Sequence, residues 1–164
     1  MRRLLLCALA LLVFAVPALA ASPVNVPSKL SSVLPKARSK SGIAVRLPSA
    51  LDAGVRPSRV HGAIEEVSKG QYHLSLGAAR GCHEATACFV AAFFGRRGAG
   101  LDIKRKVSLA RGITGRFRPI TCGASCSAAE VQWKQGKVAY AIQFKGSKAQ
   151  MVALANSAIR GGAR

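Results

Sequence analysis

The sequence predicts an α+β domain, an antiparallel β-meander of six to seven short strands with a C-terminal amphipathic helix packed on one face. Three observations lead to this class. Short segments with apolar residues at alternate positions follow one another from residue 43 onward, a clear hairpin pattern spans 130–144, and a helical apolar pattern follows at 147–162. Alternation is typical of half-buried strands, and a period of 3.6 residues is typical of an amphipathic helix. The size fits one domain with one modest core.

Residues 1–20 are predicted to be a secretory signal peptide. Two arginines precede an apolar run at 4–16, and Ala18 and Ala20 are the small residues that a signal peptidase requires. The run is shorter than the ~20 apolar residues that cross a bilayer, so we expect no transmembrane segment after cleavage. The sequence therefore indicates an exported bacterial protein, periplasmic or extracellular.

Residues 21–42 are predicted to be a disordered basic leader rich in proline and serine. The segment holds three prolines, six serines and four basic residues without one acid. Such a composition buries too little apolar surface to offset the chain entropy that folding removes. We expect a spacer, or else an electrostatic tether, ahead of a single α+β domain at 43–164.

The first predicted strand lies in "GIAVRLPSAL", where Pro48 ends it. Two more strands flank a turn at 69–70. In the second of these strands, Tyr72, Leu74 and Leu76 share one face. The alternation in the first strand does not decide which of its faces is buried. The apolar run "TACFVAAFFG" suits a buried central strand, although its period does not exclude a short helix.

A further strand over 103–109 would project Lys104 and Lys106 from one face. The hairpin at 130–144 has its turn at Gln135-Gly136, where glycine supplies the positive φ that a tight turn demands.

The C-terminal helix is predicted to begin after Ser147, with Gln150 completing a capping box. Two glycines at 161–162 end it. Its apolar residues fall on one stripe, which packs against a sheet. They are Met151, Leu154, Ala155, Ala158 and Ile159.

The cysteines are predicted to form disulfides. Four remain after removal of the signal peptide, an even number in an oxidising compartment. The local pairs are favoured because each closes a compact loop, but a crosswise pairing would constrain the unfolded chain more strongly, and the spacing leaves the connectivity open. The residues are Cys82, Cys88, Cys122 and Cys126.

We predict no catalytic residue, no metal and no cofactor. The C-x5-C and C-x3-C spacings differ from the paired C-x2-C knuckles of zinc ribbons, although a structural metal site would draw on these cysteines or His83. A Cys88–His83 dyad would need a thiol that a disulfide consumes. The chain has no G-x-S-x-G motif and no glycine-rich phosphate loop.

The charge distribution is the most informative functional feature. The chain carries a formal net charge of +19, which attracts polyanions. Between 96 and 118, eight basic residues stand against Asp102 alone. We predict an anion-binding surface whose affinity falls with salt, the alternative being a solvated basic face. The eight residues are Arg96, Arg97, Lys104, Arg105, Lys106, Arg111, Arg116 and Arg118.

The leading functional hypothesis is an exported non-catalytic domain that binds an anionic envelope component through this surface. An anionic lipid, a polysaccharide or an acidic protein would be its partner. Aromatic residues form only 5% of the chain, which argues against a specific nucleic-acid module, since such modules use aromatic stacking platforms. The alternative is a structural or accessory protein-interaction domain with incidental charge, and a zinc- or thiol-dependent enzyme is the third hypothesis.

Four features together resemble a family of uncharacterised exported bacterial proteins. They are a strand ending in leucine-proline ("IAVRLPSAL"), the C-x5-C loop after a tyrosine-containing strand, the "CGASC" loop before the W…G…Y hairpin, and the closing "LANSAI" helix. The resemblance covers residues 43–160. It implies the fold and export, and it implies no activity.

Overall fold

A computed structural model describes residues 22–82 and 86–162 of the chain. The predicted signal peptide lies outside the described residues. In chain order the elements are β1 (Val24–Asn25), α1 (Val26–Lys29), α2 (Leu34–Ser41), β2 (Ala50–Leu51), a 3-10 turn (Pro57–Arg59), β3 (His61–Ser68), β4 (Gln71–Gly77), β5 (Phe89–Arg97), β6 (Lys106–Ser108), a second 3-10 turn (Ala110–Gly112), β7 (Thr114–Arg118), β8 (Thr121–Cys122), β9 (Cys126–Ser127), β10 (Ala129–Gln135), β11 (Val138–Phe144) and α3 (Lys148–Arg160).

Seven strands form one antiparallel sheet in the order β3-β4-β5-β11-β10-β7-β6. Two meanders, β3–β4–β5 and β6–β7–β10–β11, join where β5 pairs with β11. The small β8–β9 hairpin interrupts the second meander, and β1 pairs with β2 outside the sheet. The predicted α+β class, with its meander and closing helix, is confirmed.

One face of the sheet forms the core with α3. The antiparallel register aligns Tyr72, Gly95, Tyr140 and Trp133 in one row across four strands, and the rings of Trp133 and Tyr140 stack at 5.6 Å between centroids. Helix α3 begins at the predicted capping box. All five residues of its predicted stripe are buried, as expected for a helix that packs one face on a sheet.

The segment predicted to be a disordered leader is instead ordered and largely built into the core. Val24, Val26, Leu30, Leu34 and Ala37 are buried there. Both helices of this segment carry proline in their first turn, where a missing N–H costs nothing. The composition suggested disorder, but the placement of its few apolar residues lets each of them reach the core.

Two predicted strands differ from the structure. The segment from Ile43 to Pro48 joins no ladder, although it is buried: the backbone N–H of Arg46 donates to the Tyr72 hydroxyl, and the Tyr140 hydroxyl donates to the carbonyl of Ala44. Tyrosine side chains thus replace a neighbouring strand. The strand predicted over 103–109 is limited to β6, the short edge strand of the sheet.

Candidate anion-binding surface

Both predicted disulfides are local. Cys82 is bonded to Cys88, with their Cα atoms 5.6 Å apart, and Cys122 to Cys126 across the β8–β9 hairpin, with their Cα atoms 4.0 Å apart. The favoured pairing is confirmed and the crosswise alternative is wrong. Because all four sulfurs are bonded, none of them is a thiolate that could bind zinc or attack a substrate.

Within residues 22–82 and 86–162, no group of three or more His, Cys, Asp or Glu side chains could hold a metal ion. His83, the candidate metal ligand and base, lies outside the described residues. In the same part of the chain, no helix has the length and apolar composition that crossing a bilayer requires.

The two arginines at the end of β5 point to opposite faces of the sheet because they are neighbours on a strand. Arg96 lies opposite Ala139 of β11, and Arg97 lies opposite Val138. The guanidinium of Arg97 donates a hydrogen bond of 3.0 Å to the carbonyl of Gly42, after α2. Both side chains are exposed.

A second group of predicted basic residues lies along the β6–β7 edge. Lys106 pairs with Arg116 across the two strands, and the guanidinium of Arg116 donates to the carbonyl of Lys104 at 3.0 Å. Arg105 is exposed. Arg118 differs from the rest because its guanidinium forms a salt bridge with Glu130 on β10, which neutralises its charge.

Arg111 is separate from both groups. It has a left-handed backbone, with φ of 57°, and its guanidinium donates to the carbonyl of Arg160 at the end of α3, at 3.4 Å. The eight predicted residues therefore do not form one surface. They divide among the end of β5, the β6–β7 edge and the end of α3.

The end of β5 is where the fold adds cations that the linear stretch does not contain. The β3–β4 turn brings Lys69 there, because the backbone N–H of Arg97 donates to the carbonyl of Gly70 at 2.8 Å. The β10–β11 hairpin brings Lys137, whose carbonyl accepts from the N–H of Gly98 at 2.8 Å. Lys134 lies opposite Ala139, the residue that also faces Arg96. We call the five exposed cations at this end of the sheet the basic end: Lys69, Arg96, Arg97, Lys134 and Lys137.

Sequence reasoning missed three of these five residues. Lys69, Lys134 and Lys137 are remote in the chain from 96–118, but each lies in or beside a predicted hairpin turn. Turns of an antiparallel meander recur at the same end of a sheet, and this relation would have brought them together.

A cavity of about 440 Å³ opens at the basic end. Lys69, Arg96 and Arg97 supply its side-chain cations, and no acid is among its lining residues, which also include Ser41, Gly42, Gly70 and Gln71. A concave site lined by one sign of charge focuses the field and raises the local concentration of counter-ions. This geometry suits an anion.

The open face of the sheet, which we define as the side chains pointing away from α3, holds a buried polar network. Both oxygens of the buried Glu130 accept hydrogen bonds, from Arg118, Gln132 and Gln143. The amide of Gln132 also donates to Asp102, which holds the 98–105 loop against this face. Glu130 is therefore compensated, and its role is structural.

Burial raises the pKa of both core tyrosines. The Tyr72 hydroxyl is wholly enclosed, and the hydrogen bond from the backbone of Arg46 only partly offsets the loss of hydration. Burial also raises the pKa of Tyr140, against the opposing effect of the Arg46 guanidinium. Both hydroxyls are neutral near pH 7 and hold the buried segment that contains Arg46.

The basic end, its cavity and the edge group are thus the surfaces that the fold offers to an anion. The likeness to exported bacterial proteins stays a prediction. Comparison of the chain with models of protein families, with curated proteins and with solved structures found no match.

Proposed function

We propose that the protein is an exported, non-catalytic domain that binds an anionic component of the cell envelope at its basic end. The observation that carries this proposal is the convergence of three chain segments. The β3–β4 turn, the end of β5 and the β10–β11 hairpin together present five exposed cations, and the cavity beside the first two of these segments has no acidic lining residue.

The charge of this surface is not consumed within the fold. Arg97 donates to a neutral carbonyl, which leaves its positive charge uncompensated, whereas Arg118 is matched by Glu130. Uncompensated cations near a polyanion contribute about 1 kcal/mol each at moderate ionic strength. Salt screens such exposed charges beyond a Debye length of about 8 Å.

The β6–β7 edge provides a secondary basic surface through Lys104, Arg105 and Lys106, while Arg111 faces the end of α3 and takes no part. The disulfides support export, since such bonds persist in oxidising compartments. The alternative of a protein-interaction domain has less support. Among the described residues, Ile120 is the single large apolar residue that is exposed, and one such residue does not form an apolar patch.

Charge reversal tests the proposal. The probes are polygalacturonate, inorganic polyphosphate and phosphatidylglycerol vesicles, and the variant is Arg96→Glu with Lys134→Glu. If each cation contributes about 1 kcal/mol to binding, reversal of two of them should weaken binding at least tenfold. The control is Arg59→Glu with Lys148→Glu, which changes the charge equally at exposed positions beside the other end of the sheet. Equal weakening by both variants, or none by either, would overturn the basic end as the site.

A further inference from the structure

The open face of the sheet carries a groove that leads away from the basic end. One cavity of about 200 Å³ lies under the 99–101 loop and includes Arg96 in its lining. A second, of about 170 Å³, lies further along the same face. The side chain of Gln143 lines both cavities. Arg96 is shared by the basic end and the first cavity, and Gln143 by the two cavities, so the three lie side by side, and we call them together the polar groove.

Both disulfide loops shape the far end of the polar groove. Thr86 and Phe89 come from the segment around the Cys82–Cys88 bridge, and Cys126 and Ala128 come from the end of the β8–β9 hairpin. Lys145 also lines this cavity, and its ammonium donates a 2.7 Å hydrogen bond to the carbonyl of Thr86. The two bridges thus hold two walls of one small pocket, a role that neither loop spacing nor composition suggested.

The lining of this pocket is polar and partly aromatic, and it includes one cation, Lys145. The exposed Thr86 supplies a hydroxyl that can donate and accept hydrogen bonds, whereas the donors of the buried Ser75 and of Gln143 are already bonded to Glu65 and Glu130. Phe89 supplies an aromatic wall, and Phe94, which stacks on His73 at 4.2 Å between ring centroids, lines the adjoining cavity. Such a mixture recognises a ring with hydroxyl groups on its edge and C–H groups on its faces, as a sugar has.

The volume of the pocket and the charge of the groove restrict the class of ligand further. A cavity of about 170 Å³ is smaller than the ~300 Å³ or more that drug-sized ligands occupy, so it suits one ring of a longer chain. The cations are Lys145 at the pocket and Arg96 along the groove. The one acid among the groove's lining residues, Glu130, is already bonded to Arg118 and two glutamines. The groove therefore complements a negatively charged chain.

We propose that the polar groove binds an acidic polysaccharide, with one sugar ring between the two disulfide loops and the following acidic groups directed toward the basic end. This inference rests on the proposed function, since it uses the same cations, and it specifies the ligand class. A lipid would need an apolar channel for its acyl chains, whereas the pocket presents Thr86, Gln143 and Lys145. A nucleic acid would need more stacking surface than a chain with 5% aromatic residues offers.

The test fills the pocket without changing charge. Ala128→Trp projects an indole into the pocket from a half-buried wall position, and Thr86→Val removes one exposed hydroxyl of the lining as a milder second variant. We expect Ala128→Trp to weaken polygalacturonate binding at least tenfold, and Thr86→Val about threefold. Binding of inorganic polyphosphate, which needs only cations, should change less than twofold. Ala153→Trp, on the exposed side of α3, is the matched control and should bind as the unchanged protein does.

The outcomes separate the two proposals. If Arg96→Glu with Lys134→Glu weakens both polymers while neither pocket variant weakens polygalacturonate binding, the basic end stands and the saccharide groove is wrong. If Ala128→Trp weakens both polymers equally, the groove does not select sugars, and the inference is again wrong. Tighter binding of phosphatidylglycerol vesicles than of polygalacturonate would assign the surface to lipid and overturn it too. Thermal unfolding of each variant identifies any that fails to fold, and Thr86→Val, at an exposed position, then decides the question.

Discussion

The guanidinium of Arg118 donates a hydrogen bond to the carboxylate of Glu130 across the β7–β10 pair. The arginine side chain is 44% exposed, whereas the glutamate is 7% exposed. The pair therefore joins β7 to a buried acid, and it explains why one residue of the predicted basic stretch does not belong to the proposed anion-binding surface. The pair contributes to stability mainly because it compensates the carboxylate of Glu130, whose charge is removed from water.

The first prediction follows from that asymmetry. Arg118→Ala should lower the free energy of unfolding by about 1–2 kcal/mol, because it leaves Glu130 buried with two amide donors and no cation. Adding Glu130→Gln should recover part of the loss. Urea unfolding of the single and double variants measures the coupling. Arg105→Ala, at an exposed position, is the control. A loss from it as large as that from Arg118→Ala would contradict the assignment.

A second prediction concerns the N-terminal segment. Leu30 is fully buried, so Leu30→Ala should cost about 2–5 kcal/mol through lost transfer energy and the cavity it leaves. A disordered leader would tolerate the change. Ser32→Ala, two residues away at an exposed position, should be within about 0.5 kcal/mol of the unchanged protein. Equal stability of the two variants would mean that the segment is not part of the core.

That segment also marks what the sequence could and could not predict. The β10–β11 hairpin and α3 were predictable because their turn, cap and apolar period are local features. The ordered structure of residues 22–42 was not predictable, because its apolar residues are stabilised by partners far along the chain, such as Leu51, which pairs with Val24. Pro27 and Pro35 counted toward disorder by composition, yet each lies in the first turn of a helix.

The residues of the candidate site also include some that the sequence could predict and some that it could not. Arg96 and Arg97 were found because they are adjacent in a basic stretch. Lys69, Lys134 and Lys137 required the strand register, and the polar groove required knowing which side chains face away from α3. The pairing of strands in the fold, not the residue type, brings these side chains together.

Gly95 gives a third prediction. A Cβ built there would lie 2.4 Å from Cε1 of Tyr72 on the neighbouring strand, a contact that forces the ring or the strand to move. Gly95→Ala should destabilise the protein by about 1–3 kcal/mol through overpacking. At Gly100 a Cβ meets nothing within 4 Å, so Gly100→Ala should be close to neutral. If calorimetry gives both variants the same midpoint, the ring of Tyr72 does not pack on β5 as described.

A fourth prediction concerns alkaline pH. Burial raises the pKa of Tyr72 above its ordinary value of 10.0, so the folded protein keeps a proton that the unfolded chain releases. Stability is then unaffected below about pH 10 and falls as the pH rises above it. Tyr72→Phe should reduce this fall, although it loses the hydrogen bond from Arg46 at every pH. Unfolding free energies at pH 8 and at pH 11 measure the slope, and an unchanged slope in the variant would assign it to other groups.

The last prediction connects the disulfides to binding. Each bridge closes a short loop, so by chain entropy Cys82→Ser with Cys88→Ser should cost about 2 kcal/mol, and Cys122→Ser with Cys126→Ser about as much. Both pairs of substitutions should also weaken polygalacturonate binding, because each loop holds one wall of the pocket, while leaving polyphosphate binding at the basic end unchanged. The measurements are chemical unfolding and binding of the two polymers at one salt concentration. The unchanged protein should resist thiol alkylation when it is denatured without a reductant. Four alkylated cysteines would remove the bridges on which this role depends, and equal weakening of both polymers would mean that the bridges support the whole domain and not the pocket.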